Sequence, residues 1–293
     1  MERKIPRLVA PLVGLLLVAA ACSKSSTPGP AAGGGTTPPA SSGESVMPPA
    51  SGGASIMPLP KWADAMKASI TAPADGSKVT ANAVTLHVDT SGFEDSCALA
   101  GKPLQAGTGH YHVLIDGSLV NMFCTPTATV SMQNVTPGMH ELAVVPALND
   151  HAEVMENETS IKIDFQPANP APEITDATIA GKPSIKILSP KNGATVSGPF
   201  DVRVRITNFH PSCDLLGKPA VSGYGHWHLN LDSMSGPMMG MGTMLGMSCK
   251  TMFHASTEGL KAGQTHTLIA LLTDDGHAPL QPPVASEVTV HIG

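Results

Sequence analysis

Histidines stand two residues apart at His110 and His112, in Gly-His-Tyr-His-Val-Leu-Ile-Asp (109–116), and again at His226 and His228, in Gly-His-Trp-His-Leu-Asn-Leu-Asp (225–232). On a strand such a pair shares one face with its Cα atoms about 7 Å apart, so two imidazoles can converge on one ion. Zinc and copper both take imidazole nitrogen, and three His with an open position suit either. The third ligand must come from another strand or loop: His140 or His151 in the first copy, His266 or His277 in the second. Asp116 and Asp232 share the histidine face and could bind directly or orient a ligand ring from behind. The competing reading is a solvated polar face, with His140 and His266 opening core strands.

A second soft-ligand candidate follows the later pair. Seven of the chain's 15 Met lie between 234 and 252, among them Met238, Met239, Met241, Met244 and Met247. His228 to Cys249 spans 21 positions where His112 to Cys124 spans 12, so the second copy has gained about nine residues, mostly Met and Gly. A run so rich in glycine reads as too flexible for a packed strand, and thioethers select Cu(I) over zinc. The alternative is a loop whose methionines fold over an apolar surface or meet a partner.

The elements that must position these groups are duplicated as well. Ser-Cys-Ala-Leu-Ala-Gly-Lys-Pro (96–103) matches Ser-Cys-Asp-Leu-Leu-Gly-Lys-Pro (212–219), and Cys97 to His110 and Cys213 to His226 are both 13 positions. His140 to His151 and His266 to His277 are both 11, so eight of the twelve histidines occupy matched places. Short β-branched segments at 84–88, 110–115, 127–132, 141–145 and 160–163, then 200–206, 226–231, 266–272 and 288–292, are separated by Pro/Gly turn signals. With no convincing helix, this predicts an all-β protein of two tandem immunoglobulin-like β-sandwich domains. The alternate strand faces, Tyr111 and Val113 or Trp227 and Leu229, are the expected cores.

The N-terminus begins with Arg3, Lys4 and Arg7 ahead of an apolar run at 8–21, the form of an export signal. Ala-Ala-Ala-Cys (19–22) resembles a bacterial lipoprotein box, which implies lipidation of Cys22. Ser23, in place of Asp, implies sorting to the outer membrane of a double-membraned bacterium. The expected organisation is a signal peptide at 1–21, a disordered Ser/Gly/Pro-rich tether at 22–68, repeat 1 at 69–165, a linker at 166–183 and repeat 2 at 184–293. The formal charge of −6 falls to −8 once Glu2, Arg3, Lys4 and Arg7 are removed, and no basic patch invites nucleic acid. Cys97, Cys124, Cys213 and Cys249 remain, an even number in an oxidising compartment. Of three connectivities, Cys97–Cys124 with Cys213–Cys249 keeps each repeat self-contained. Each bridge would contribute about 3–4 kcal/mol by loop closure.

The second repeat resembles a known family on these residues: Gly-His-Trp-His-Leu-Asn-Leu-Asp (225–232), His-Thr-Leu (266–268), His277-Ala-Pro279 and Pro282-Pro283-Val284. They are similar to the exported bacterial domain of unknown function 4399, with Trp227 or Tyr111 in place of the central His of that family's triplet. The resemblance implies a sandwich fold and export, and assigns no activity. No nucleophile elbow, His-Glu-x-x-His or phosphate loop is present. The sequence therefore points away from catalysis and toward an envelope lipoprotein binding copper, or zinc, for sequestration or delivery, with a metal-handling or envelope partner. The alternatives are a non-catalytic structural or interaction module of the cell surface and, more weakly, a copper-dependent redox enzyme.

Overall fold

The computed structural model describes residues 58–235 and 240–293. The signal peptide, Cys22, most of the tether, and Met238 and Met239 lie outside the described residues. Repeat 1 contains β1 (Lys67–Ala72), β2 (Ser77–Val79), β3 (Ala83–Ser91), β4 (Glu94–Asp95), β5 (Thr108–Ile115), β6 (Ser118–Phe123), β7 (Thr127–Ser131), β8 (Gly138–Ala147) and β9 (Thr159–Phe165). Repeat 2 follows with β10 (Ser184–Ser189), β11 (Ala194–Val196), β12 (Pro199–Thr207), β13 (His210–Pro211), β14 (Tyr224–Leu231), β15 (Met244–Ser248), β16 (Met252–Ser256), β17 (Thr265–Thr273) and β18 (Ala285–Ile292).

The chain is all-β, and the two repeats share one topology. A three-stranded sheet, β1-β3-β7, faces a larger sheet ordered β2-β9-β8-β5-β4 with β6 on β5. Its counterpart is β10-β12-β16 facing β11-β18-β17-β14-β13 with β15 on β14. The period-two pattern does what it predicts: Val84, Leu86 and Val88 of β3, with Val202 and Val204 of β12, point inward and are buried. They meet Tyr111 and Val113 in one core and Trp227 and Leu229 in the other. Each aromatic buries an apolar body and satisfies its polar tip. Tyr111 Oη donates to the Thr125 carbonyl and Trp227 Nε1 to the Lys250 carbonyl, both at 2.7 Å, and each acceptor follows a disulfide cysteine. The bridges are Cys97–Cys124 and Cys213–Cys249, as the duplication suggests.

Two features differ from expectation, and one adds to it. Ordered chain begins before residue 69: a 3-10 turn at Lys61–Ala65 and Met66 pack against Leu148, Ala152 and Val154, so Trp62 and Met66 belong to the fold and not to the tether. The 166–183 stretch forms no strand but is tied down, because the Asn134 side chain bonds both the N–H and the carbonyl of Ile174, and Ala177 N–H donates to Ser222. The methionine run is not too flexible to pack. Met244–Ser248 is strand β15, paired with the second His-x-His strand through His228↔Met247 and Asn230↔Met244. Gly246 allows this, since a Cβ there would stand 2.6 Å from the Phe253 ring.

The described residues form one compact unit, with the repeats in contact. Leu119 of β6 packs with Met241 and Met244 of repeat 2, and Lys102 Nζ donates to the carbonyls of Ser256 and Glu258 at 2.7 and 2.6 Å. Both faces of β5 are therefore buried along its whole length, and β14 likewise from Gly225 onward.

Candidate metal centres

Beside β5 runs β8, and the loop that leaves β8 reaches the histidine face. Since β8 runs antiparallel, pairing Ile115↔Leu142 and His110↔Ala147, the start of β8 lies by Asp116 and its end by His110. Beyond that end the chain doubles back. Leu148 N–H donates to the Ala152 carbonyl and Ala147 bridges Glu153, which leaves His151 at the tip with φ 63°. His277 stands likewise after β17, with φ 68° and a Thr273–Pro279 bridge. A left-handed backbone at a non-glycine residue is uncommon, and its recurrence at both matched histidines marks a geometry held by its surroundings.

The loops complete two triads. In repeat 1, His110 Nε2, His112 Nε2 and His151 Nδ1 stand 3.0–3.2 Å from one another. In repeat 2, His226 Nε2, His228 Nε2 and His277 Nδ1 stand 2.9–3.4 Å apart. All six residues are at most 2% exposed. Nitrogens around a tetrahedral ion at about 2.0–2.1 Å would lie about 3.3 Å apart, so both triads could hold a metal ion.

Hydrogen bonding fixes which nitrogens carry protons. His151 Nε2–H donates to the Met244 carbonyl at 2.7 Å, and His112 Nδ1–H donates to Glu153 Oε1 at 2.7 Å, both acceptor-only groups. The inward nitrogen of His151 is consequently a bare lone pair, 3.2 Å from His112 Nε2. His110 can offer one proton between them, and its buried Nδ1 has no partner. In repeat 2, His277 Nε2–H donates to the Leu119 carbonyl at 2.8 Å, again turning a lone pair inward. A cation could take all three inward nitrogens of such a set at once.

Burial disfavours the charged form of five of these rings. It is the largest cause holding His110, His226 and His228 well below the usual imidazole range, reinforced by the neighbouring imidazoles. Burial likewise brings His151 to about 3 and His277 to about 4, each partly opposed by its carbonyl acceptor. Neutral imidazole is the form in which a histidine binds a metal.

The other expected ligands sit elsewhere. His140 Nδ1 donates to Asp116 Oδ2 at 2.7 Å, and His266 Nδ1 to Asp232 Oδ2 at 2.6 Å, while the second carboxylate oxygens accept the N–H of Glu141 and Thr267. Asp116 and Asp232 have left-handed backbones at the strand ends, so their side chains lock turns and do not back the triads. The strand pairing is the reason: it carries His140 and His266 to the end opposite His151 and His277. Met241 and Met244 are buried in an apolar cluster with Leu119, with Met247 partly buried beside them, which accounts for the three by packing.

Sequence reasoning missed Glu153 because repeat 2 has Pro279 in its place, so the duplication did not flag it. It also missed the carbonyls of Leu119 and Met244, which no side-chain pattern reveals. The Gly-Lys-Pro repeat was the available signal for Gly101 and Gly217. Their N–H groups donate to the carbonyls of Asn149 and Asp275, each two residues before the loop histidine.

No family model matches the chain. No curated protein matches it in sequence. Among solved structures, the chain is similar to the fibronectin(III)-like modules of Clostridium thermocellum CbhA, at 13% identity and TM-score 0.24, over 77% of this chain and 94% of that one. It is also similar to a structure described for Dscam isoform specificity, at 11% identity and TM-score 0.20, over 77% of this chain and 46% of that one. A third is a biofilm-associated protein domain, at 13% identity and TM-score 0.21, over 78% of this chain and 29% of that one. The chain spans less than half the length of the latter two, and these likenesses concern fold alone.

Proposed function

We propose that this protein sequesters a transition metal ion in each repeat, with His110, His112 and His151 as one ligand set and His226, His228 and His277 as the other. The supporting observation is the convergence of three buried imidazole nitrogens to within 3.4 Å, twice, with the inward lone pairs of His151 and His277 fixed by backbone acceptors. Three imidazoles suit zinc and copper, and Cu(II) outranks Zn(II) at such sites in the general affinity order, so copper is the favoured cargo. The support for copper comes from the imidazoles and not from the packed methionines. Ligands so enclosed favour holding an ion over turning over a substrate, and suit sequestration better than catalysis. The export signal and Cys22 support a lipid-anchored position in the cell envelope, where a delivery partner would also act.

The test is metal content and titration of the chain lacking its signal. Two Cu(II) or two Zn(II) should bind per chain tighter than micromolar. His226→Ala/His228→Ala should leave one, and His110→Ala/His112→Ala the other. A chain that binds neither ion tighter than micromolar overturns the proposal and leaves the histidines as packing groups of a surface module.

A further inference from the structure

We infer that each three-histidine site is built from both repeats: the two strand ligands and the loop ligand come from one repeat, and the group that orients the loop ligand is a backbone carbonyl of the other. This rests on the metal reading above. His151 donates across the interface to Met244 of β15, and His277 donates back to Leu119 of β6. The arrangement is reciprocal, and each acceptor lies on the strand beside the other repeat's His-x-His strand.

The same two carbonyls are approached by matched glycines. A Cβ on Gly101 would stand 2.5 Å from the Met244 oxygen, and a Cβ on Gly217 would stand 2.7 Å from the Leu119 oxygen. Both glycines have left-handed backbones, φ 70° and 72°. Each Gly-Lys-Pro loop therefore does two things at once. Through its glycine N–H it holds the stretch leading to the loop histidine of its own repeat, and through its missing side chain it admits the other repeat's acceptor strand. Around Gly101 the lysine adds a clamp, since Lys102 Nζ bonds Ala98 in its own repeat and Ser256 and Glu258 in the other.

A ligating His whose second N–H loses its acceptor typically weakens metal affinity by about 10–100-fold. Closing the gap at Gly217 should therefore damage site 2 through repeat 1's strand. Ala at any left-handed glycine strains the backbone, so the control is Gly193→Ala, where φ is 77° and nothing lies within 4 Å of the new Cβ. In a chain keeping only site 2, made by His110→Ala/His112→Ala, Zn(II) affinity should fall at least tenfold with Gly217→Ala and less than twofold with Gly193→Ala. Equal effects of the two substitutions would overturn the inference while leaving the metal sites standing.

A second measurement needs no glycine substitution. Zn(II) added to the chain that keeps only site 2 should slow amide exchange in peptides covering β6 of repeat 1. Protection confined to 184–293 would overturn the cross-repeat assignment. Absence of Zn(II) binding in the unaltered chain would overturn the metal reading and this inference together.

Discussion

His277 Nε2 lies 2.8 Å from the Leu119 carbonyl oxygen, a hydrogen bond that joins residues 158 positions apart and belonging to different repeats. It places the proton of His277 on the outer nitrogen and leaves the inner one free. Its counterpart, His151 to Met244 at 2.7 Å, runs the opposite way across the same interface.

The two triads are not equivalent, because among the described residues only the first has a carboxylate bonded behind one of its rings. Glu153 accepts from His112 Nδ1, and both side chains are almost wholly buried. Glu153→Gln should weaken the site at His110, His112 and His151 by about 10–100-fold and leave the other unchanged. Titration of each single-site chain with Zn(II) checks this, and equal affinities before and after the substitution would show the carboxylate to be uninvolved.

His140 and His266 serve as controls of position. Each bonds a half-exposed carboxylate at a strand end, so His140→Ala and His266→Ala should leave the metal stoichiometry at two per chain. Ion pairs of this exposure contribute about 0–1 kcal/mol, so the loss of stability should be small. Loss of a bound ion in either variant would return these residues to the ligand set.

Met244 distinguishes packing from ligation. Its side chain is 1% exposed within the cluster that includes Leu119 and Met241, so Met244→Ala should cost about 2–5 kcal/mol in denaturant unfolding. Met244→Leu keeps the volume and removes the thioether, and should cost less than about 1.5 kcal/mol with both ions retained. A fall in Cu(I) affinity in the leucine variant alone would make the sulfur a ligand.

The metal-free chain should be acid-labile in a defined window. His151 and His277 have folded values of about 3 and about 4 against an ordinary 6.5, so the unfolded chain binds protons that the folded chain refuses. Stability is therefore full above about pH 6.5 and falls as pH drops through the range from 6.5 toward 3. Denaturant midpoints between pH 8 and 4 measure this. His151→Ala/His277→Ala should flatten the slope, and an unchanged slope would assign the acid sensitivity to other groups.

Much of the architecture follows from chain pattern alone. Alternation along 110–115 and 226–231 sorts Tyr111 and Trp227 into the cores, and the fall of two cysteines in each repeat selects the two bridges, because both depend only on local period and duplication. The choice of His151 over His140 was within reach of the same logic. Once β8 is antiparallel to β5, His140 must fall at the Asp116 end and His151 at the His110 end, yet sequence does not say which strands pair. Glu153 carried no repeat signal, since Pro279 replaces it. The methionine run misled through its glycines: Gly246 reads as a break in a strand and is a socket for Phe253.

What the sequence determined by itself is therefore the histidine pair and its strand face, through residue type and spacing two. What only the tertiary structure decided is that this face is buried and that the loop histidine completing each triad is aimed from outside the repeat. Burial of one sheet face and the acceptor for a loop histidine are properties of contacts between chain segments more than ninety residues apart. They depend on backbone carbonyls that every residue possesses, and so leave no mark in residue identity beyond the glycines that make room for them.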